Sequence, residues 1–196
     1  MMLPIVAYGE PVLRKQCKDI SKTYPNLDAL LENMYETMYG ASGVGLAAPQ
    51  IGLPIRVFLV DASPFADKDQ MDAQEFTQVE GFKKTFINPT ILEEKGEEFA
   101  FNEGCLSIPD VREDVYRKPD ITIEYYDENF TKHTQNYTGI IARIIQHEYD
   151  HIQGILFTDK LSSLKKRILK GRLTSISKGK TTVDYRMRFP NAKKKR

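Results

Sequence analysis

The stretch TGIIARIIQHEYDHIQG, residues 138–154, decides how this chain folds. Thr138 and Gly139 open a helix over 139–153, and Gly154 ends it. At 3.6 residues per turn, one arc of about 100° on this helix holds apolar and ionisable residues together. The residues on that arc are Ile140, Ile144, His147, Glu148 and His151. We therefore predict a buried, central helix whose inner face carries the chemistry.

His147, Glu148 and His151 form an HExxH motif. Histidines at positions i and i+4 lie one turn apart on one face, so two imidazole nitrogens can bind a single metal ion. Burying Glu148 without a partner would be costly, and a metal-activated water would supply that partner. The alternative is a pair of core histidines that bond to backbone; their place beside a buried carboxylate argues against it.

A catalytic metal needs a third protein ligand and an open position. No His or Glu follows His151, so we expect the ligand to come from upstream. The strongest candidate is Cys105, which stands beside Gly104 in NEGCLSIPD. A Cys/His/His site suits Fe²⁺ or Zn²⁺. For Cys17 we expect only a small buried apolar side chain.

Hydrophobic periodicity and turn residues place the other elements. We predict helices over 26–39 and 162–172, a buried strand over 55–60, short strands within 85–94 and 97–104, a hairpin of 121–127 with 130–137, and a last strand over 183–189. The polar stretch 61–83 reads as a surface excursion, and Gly171 and Gly179 as interruptions. The expected fold is α+β: antiparallel sheets pack around the central metal-binding helix, with a flanking N-terminal helix and a C-terminal helix plus strand.

The composition favours one folded domain over 1–196. Of its 196 residues, 41% are hydrophobic and 28% charged, which excludes a disordered chain. The net charge of +1 hides an asymmetry, because residues 160–196 hold 14 Lys and Arg against one acid, Asp184. This segment, with a basic tail near 190–196, either contacts a phosphate-rich surface or is a solvated end.

The same composition bears on location. No apolar run approaches membrane-spanning length, no secretory signal is visible, and two cysteines build no disulfide framework. We therefore expect a cytoplasmic protein with neither a membrane nor DNA as its partner.

Three segments resemble the bacterial type of peptide deformylase: GVGLAAPQIG at 43–52, EGCLS at 103–107 and QHEYDH at 146–151. They occur in that family's order, and the resemblance extends over about residues 1–160. It implies a hydrolase that removes the N-formyl group from the N-terminal methionine of nascent polypeptides and releases formate. In that family the metal is natively Fe²⁺, replaceable by Ni²⁺, Co²⁺ or Zn²⁺.

The resemblance also implies roles for single residues. Cys105, His147 and His151 would hold the metal, and a water that it activates would attack the formyl carbonyl with Glu148 as general base. Two donors would stabilise the oxyanion, namely the Gln50 side chain and the Leu106 N–H. Without the resemblance, Gln50 would read as a loop amide that ties down backbone.

The substrate would lie along Gly45, whose backbone pairs with the extended peptide in that family. Ile140 and Ile144 lie one and two turns before His147, so we expect them to form the methionine pocket, with Val44 as the other wall. Arg143 stands at the edge of this arc. We expect its stem to line the pocket mouth while its charge stays in water.

Two other functions remain open at this point. One is a small HExxH metallopeptidase, and the other is a ribosome- or RNA-associated binding protein whose metal is structural, with His133 as a fourth ligand. Ribosome contact through the basic C-terminal segment is compatible with a deformylase too. Glu103 and Arg112 flank Cys105 and either form an ion pair or leave the arginine for the peptide. We expect Asp150 to be a structural partner.

Overall fold

The computed structural model describes residues 1–192. Within them the chain forms four helices: α1 (Leu27–Gly40), α2 (Ala73–Glu80), α3 (Gly139–Ile152) and α4 (Ser163–Ser177). Its nine strands are β1 (Ile5–Val6), β2 (Gly45–Ala47), β3 (Val57–Asp61), β4 (Lys83–Lys95), β5 (Phe99–Cys105), β6 (Ile108–Arg117), β7 (Asp120–Tyr126), β8 (Lys132–Tyr137) and β9 (Met187–Arg188).

The strands form three sheets. Five antiparallel strands pair in the order β2-β3-β4-β7-β8, β5 pairs with β6 as a separate antiparallel hairpin, and β1 pairs with β9 in parallel. The predicted hairpin is confirmed as β7 with β8, in which Ile123 faces Gln135 across the ladder. With its helices set against antiparallel sheets, the chain has the predicted α+β fold.

Strand β3 shows why the five-stranded sheet is central. Phe58 and Val60 point into the core that the sheet shares with α3, and Val57 and Leu59 point into the core shared with α1. Because successive side chains alternate between faces, a strand covered on both sides must be apolar throughout. This double burial explains the uninterrupted apolar run at residues 57–60.

Helix α3 is buried as predicted. Ile141, Ile145 and Ile152 pack against the sheet, and Ile145 and Ile152 are fully removed from water. The β5–β6 hairpin covers another side of the same helix through polar contacts that are described below. One helix therefore joins the two antiparallel sheets.

The surface excursion contains an element that the sequence reading did not include. Helix α2 begins after Asp72, whose carboxylate accepts hydrogen bonds from the backbone N–H groups of Gln74 and Glu75. Most of its residues are exposed, and Val79 alone is buried. With so little apolar periodicity, the cap was the main signal for this helix.

The C-terminal region differs from the prediction. Helix α4 continues through Gly171 to Ser177, so this glycine does not interrupt it. Side chains alternate between inside and outside over 181–189, yet only Met187–Arg188 pair as a strand, because β1 is just two residues long. Residues 193–196 of the predicted tail lie outside the described part of the chain. No described helix has both the length and the apolar character needed to cross a membrane.

Two glycines provide a stability test of this fold. Gly154 ends α3 at a φ of +76°, and a Cβ there would lie 2.8 Å from the Arg14 carbonyl oxygen. We expect Gly154→Ala to lower the free energy of unfolding by about 1–3 kcal/mol. Gly171 has open space around it, so Gly171→Ala should raise that energy by about 0.5–1 kcal/mol. Urea unfolding measures both, and shifts of equal sign would contradict this description.

Candidate active site

Three donor side chains meet where α3 faces the end of β5. His147 and His151 lie one turn apart on α3, with ring centroids separated by 5.1 Å. The Sγ of Cys105 lies 3.3 Å from Nε2 of His151. One donor atom from each of these residues lies within 4.8 Å of the others.

The β5–β6 hairpin delivers Cys105 to this point. Its ladder is regular from Phe99 to Gly104 and then shifts register, so that Cys105 pairs with Ile108 at the tight end. A register shift of this kind re-aims the side chain that follows it. Here it turns the cysteine sulfur toward the two histidines.

These donors fit a divalent transition metal. Tetrahedral bonds of about 2.0–2.3 Å to nitrogen and sulfur separate donor atoms by about 3.5 Å, close to the observed 3.3 Å between Cys105 and His151. Burial lowers the pKa of His147, but hydrogen bonds with Cys105 and Glu103 outweigh it and raise this pKa to about 10. The position between the donors therefore favours positive charge. A thiolate with two imidazoles suits Fe²⁺ or Zn²⁺.

Glu103 orients His147 from behind. Its Oε2 lies 2.9 Å from Nδ1 of His147, while Arg117 donates to both carboxylate oxygens at 2.7 and 2.9 Å. Burial alone would raise the pKa of the Glu103 carboxyl, but the bonds from Arg117 and His147 outweigh it and hold this pKa well below its usual range. Glu103 is therefore ionised and leaves Nε2 of His147 as the atom free to bind a metal.

Arg117 is a residue that sequence reasoning missed. It is 4% exposed and also donates to Asp150 on α3 at 2.7 Å, so it links the hairpin to the helix. A signal did exist, because Val111, Val115 and Arg117 alternate along β6 and point to the same side. An arginine in line with core valines indicates a buried ion pair. Asp150 is the structural partner that we expected.

Glu148 lies on the other side of the donors, against β2. The side chain is 4% exposed, and its Oε2 has no hydrogen-bond partner among the described residues. Burial raises the pKa of this carboxyl to about 7. A Cβ built on Gly45 would stand 2.7 Å from the carboxyl carbon, so only glycine leaves room for Glu148 at this position.

Gln50 and Leu106 complete the polar edge of the site. Oε1 of Gln50 accepts from the Ala47 N–H at 2.8 Å, which directs its Nε2 toward Cys105 Sγ at 3.5 Å. The Leu106 N–H has no hydrogen-bond partner within residues 1–192. Two polar hydrogens, one from a side chain and one from backbone, therefore flank the cysteine.

A cavity of about 670 Å³ opens in front of these groups. Val44, Gly45, Ile144 and Leu106 line it, with His147, Glu148, Cys105 and Gln50. Ile140 does not; it lines a neighbouring cavity. Phe65 and Phe101 line both cavities, so their rings form the wall between Ile140 and the site.

The prediction that the Arg143 charge stays in water is wrong. Arg143 is 2% exposed, and its guanidinium bonds to Glu103 Oε1 at 3.1 Å and to the Phe99 carbonyl at 2.8 Å. It also packs against the Phe99 ring, 4.5 Å from the centroid. Because Glu103 supplies a buried negative partner, the charge turns inward while the residue still lines the cavity.

Two further residues lie outside the metal-donor group. Arg112 does not pair with Glu103, since its guanidinium bonds to Asn102 at 2.8 and 2.7 Å. His133 bonds to Asp127 on the far sheet, and no described group of donors joins it to Cys105. The described residues therefore supply three metal ligands, which leaves an open position.

Sequence comparison identifies relatives over the whole chain. The family model for polypeptide deformylase matches residues 2–167. A peptide deformylase from Christiangramia forsetii is 65% identical over 196 residues, covering 100% of both chains. Another, from Flavobacterium psychrophilum, is 64% identical and covers 96% of this chain and 97% of its own.

Solved structures agree with the sequence comparison. A peptide deformylase from Legionella pneumophila superimposes with a TM-score of 0.77 at 32% identity, over 92% of this chain and 98% of its own. The peptide deformylase from Thermotoga maritima gives 0.71 at 36% identity, over 83% and 99%. Fold and sequence thus point to the same relatives.

The role of Glu103 behind His147 can be tested through metal affinity. We expect Glu103→Gln to weaken metal binding by about 10- to 100-fold, as loss of a partner that orients a ligand usually does. Glu113→Gln is the matched control, because Glu113 faces Glu103 across the hairpin but pairs with Lys165. Metal retained per chain is measured against graded chelator, with circular dichroism to verify folding. Equal retention by both variants would contradict the role.

Proposed function

The chain belongs to the peptide deformylase family, and we propose that its cavity carries out the family's reaction with the residues described above. It is a metal-dependent hydrolase that removes the N-formyl group from the N-terminal methionine of nascent peptides. One observation carries the assignment of residues. A three-donor group, a buried glutamate and two oxyanion donors converge on one cavity beside β2, the edge strand of the five-stranded sheet.

Cys105, His147 and His151 hold the metal in this proposal. A bound divalent cation supplies Lewis acidity, which makes water more acidic and a carbonyl carbon more electrophilic. We propose Fe²⁺ as the native ion, with Zn²⁺, Ni²⁺ or Co²⁺ as replacements, since a thiolate with two imidazoles accommodates all four. Metal analysis of protein purified without oxygen distinguishes them.

Glu148 moves the proton. Its pKa of about 7 lets the carboxylate accept a proton from the attacking water and later release it. Oε2 is the atom without a partner, so this oxygen takes the proton and returns it to the leaving amine nitrogen. Gly45 keeps the carboxylate close to the cavity, because its missing side chain is what makes room.

Gln50 and Leu106 receive the developing negative charge. The Gln50 Nε2 group and the Leu106 N–H donate to the former carbonyl oxygen, and each donor of this kind contributes about 10²–10³ in rate. The peptide adds to the free edge of β2 through the backbone of Gly45. Extended pairing there presents its first residue to the donors.

The methionine side chain occupies the apolar part of the cavity. Val44 and Ile144 form its walls, and the stem of Arg143 closes it beside them. Ile140 supports this pocket from behind the Phe65 and Phe101 rings. An unbranched thioether chain suits an irregular apolar space of this kind.

The assignment of Glu148 predicts a specific variant. Glu148→Gln keeps the shape of the side chain but removes its proton acceptor, so formate release from a formyl-Met peptide should fall by at least about 10²-fold. Bound metal should remain near one per chain, because the three ligands are untouched. Glu113→Gln provides the same chemical change at a surface ion pair. Turnover by Glu148→Gln near the parent rate would contradict the assignment.

Residues 1–196 form a single catalytic domain in this proposal, with 61–83 as a surface excursion and 190–196 as its basic tail. Relatives match over the whole length of the chain, and both cysteines are free. We place the enzyme in the cytoplasm, where nascent chains emerge.

The basic C-terminal segment is proposed to contact the ribosome. On α4, Lys166, Arg167 and Lys170 are exposed, and the exposed apolar residues Leu164 and Ile168 lie on the same helix. Positive side chains attract the phosphates of ribosomal RNA and release counterions. Contact there would keep the enzyme near its substrates.

Salt dependence tests this contact. Replacing Lys166, Arg167 and Lys170 by Gln should weaken cosedimentation with ribosomes and reduce the slope of log affinity against log salt by about 2–3. A control with Gln at Lys15, Lys18 and Lys22 removes the same charge from another exposed segment. Equal slopes for the two triple variants would contradict a contact through α4.

A further inference from the structure

The C-terminal strap, residues 181–188, reaches the active site from outside the region that the family model matches. Val183, Asp184 and Tyr185 line the catalytic cavity. We infer that Tyr185 is a positioning residue, whose hydroxyl holds the backbone of Leu106 so that the Leu106 N–H points at the substrate's formyl oxygen. The inference rests on the oxyanion role proposed above for that N–H.

The contact that carries this inference is a single hydrogen bond. The Tyr185 hydroxyl donates to the carbonyl oxygen of Leu106 at 2.8 Å. Leu106 lies in the tight end of the β5–β6 hairpin, directly after Cys105 and outside both strands. No ladder bond orients this residue, so a side-chain donor from elsewhere fixes its backbone.

The next carbonyl is fixed from the other end of the chain. The Tyr8 N–H donates to the Ser107 carbonyl at 2.8 Å. Two consecutive carbonyls in the turn are thus held, one by the C-terminal strap and one by the N-terminal segment. The turn has little freedom to rotate, which pre-organises the neighbouring N–H.

The strap is itself anchored on both sides of Tyr185. Upstream, Asp110 of β6 accepts from Thr181 at 3.0 Å and from Arg172 of α4 at 2.7 Å. Downstream, the Ile5 N–H donates to the Arg186 carbonyl at 2.9 Å. Because both flanks are bound, the position of the tyrosine is determined by the fold and not by the substrate.

Tyr185→Phe tests the inference, because it removes only the hydroxyl. We expect kcat for formate release from a formyl-Met peptide to fall by about 3- to 10-fold, the factor to which the net contribution of one hydrogen bond converts. KM should stay within about twofold, since the hydroxyl bonds to Leu106 and not to the peptide. Rates are expressed per bound metal ion.

Tyr126→Phe is the matched control. Tyr126 packs in the same apolar cluster as Tyr185, and its hydroxyl has no hydrogen-bond partner within the described residues. We expect this variant to keep the parent kcat. A general loss of packing would affect both variants, whereas loss of the Leu106 contact affects one.

Three outcomes would overturn the inference: a Tyr185→Phe variant with the parent kcat, one in which only KM rises, and one whose lost activity is fully explained by lost metal. The parent and Glu148→Gln are assayed alongside. If the parent releases formate and Glu148→Gln does not, the proposed mechanism stands whatever Tyr185→Phe shows. If Glu148→Gln is fully active, that mechanism fails and the role of Tyr185 fails with it.

Discussion

The ion pair between Glu103 and Arg117 lies where the β5–β6 hairpin meets α3, with both side chains almost completely removed from water. Taking two such charges out of water costs several kcal/mol per ion, which is recovered only if every remaining hydrogen-bonding atom finds a partner. Here the partners are the catalytic groups themselves and their neighbours, since Glu103 binds His147 and Arg143 and Arg117 binds Asp150. The hairpin therefore has one position on the helix that satisfies these charges.

This constraint also fixes the metal site. Glu103 and Cys105 are two residues apart in β5, so the network that orients His147 from Glu103 also sets the distance from the cysteine to the helix. Glu148, a neighbour of His147, lies in a different environment against Gly45. One buried carboxylate is kept ionised by arginines, and burial raises the pKa of the other to about 7. Two glutamates in one site thus serve different purposes because of what surrounds each.

The parts of the fold that follow local patterns could be predicted from sequence. Helix α3, the β7–β8 hairpin and the two-sided burial of β3 all have periodic apolar residues that fix their faces. The HExxH spacing identified two donors, and Cys105 followed because nothing downstream could ligate. These features depend on neighbours within a few residues.

Other features depend on contacts between distant segments, which periodicity does not encode. The buried charge of Arg143 requires Glu103, 40 residues away, so the side chain alone suggested an exposed position. Ile140 shares an arc with Ile144, but the Phe65 and Phe101 rings separate it from the cavity. Strand β9 is short because its partner β1 is short, a limit set 180 residues earlier in the chain.

The pairing of β1 with β9 also has a consequence in time. Synthesis produces the first strand at once and its partner almost last, while Tyr185 follows all three metal ligands by more than 30 residues. A growing chain can thus form α3, the hairpin and the donor group while its first strand still lacks a neighbour. The turn that carries Leu106 receives its last support only when translation is nearly complete. An enzyme that processes emerging chains is, while it is itself emerging, an unfinished one.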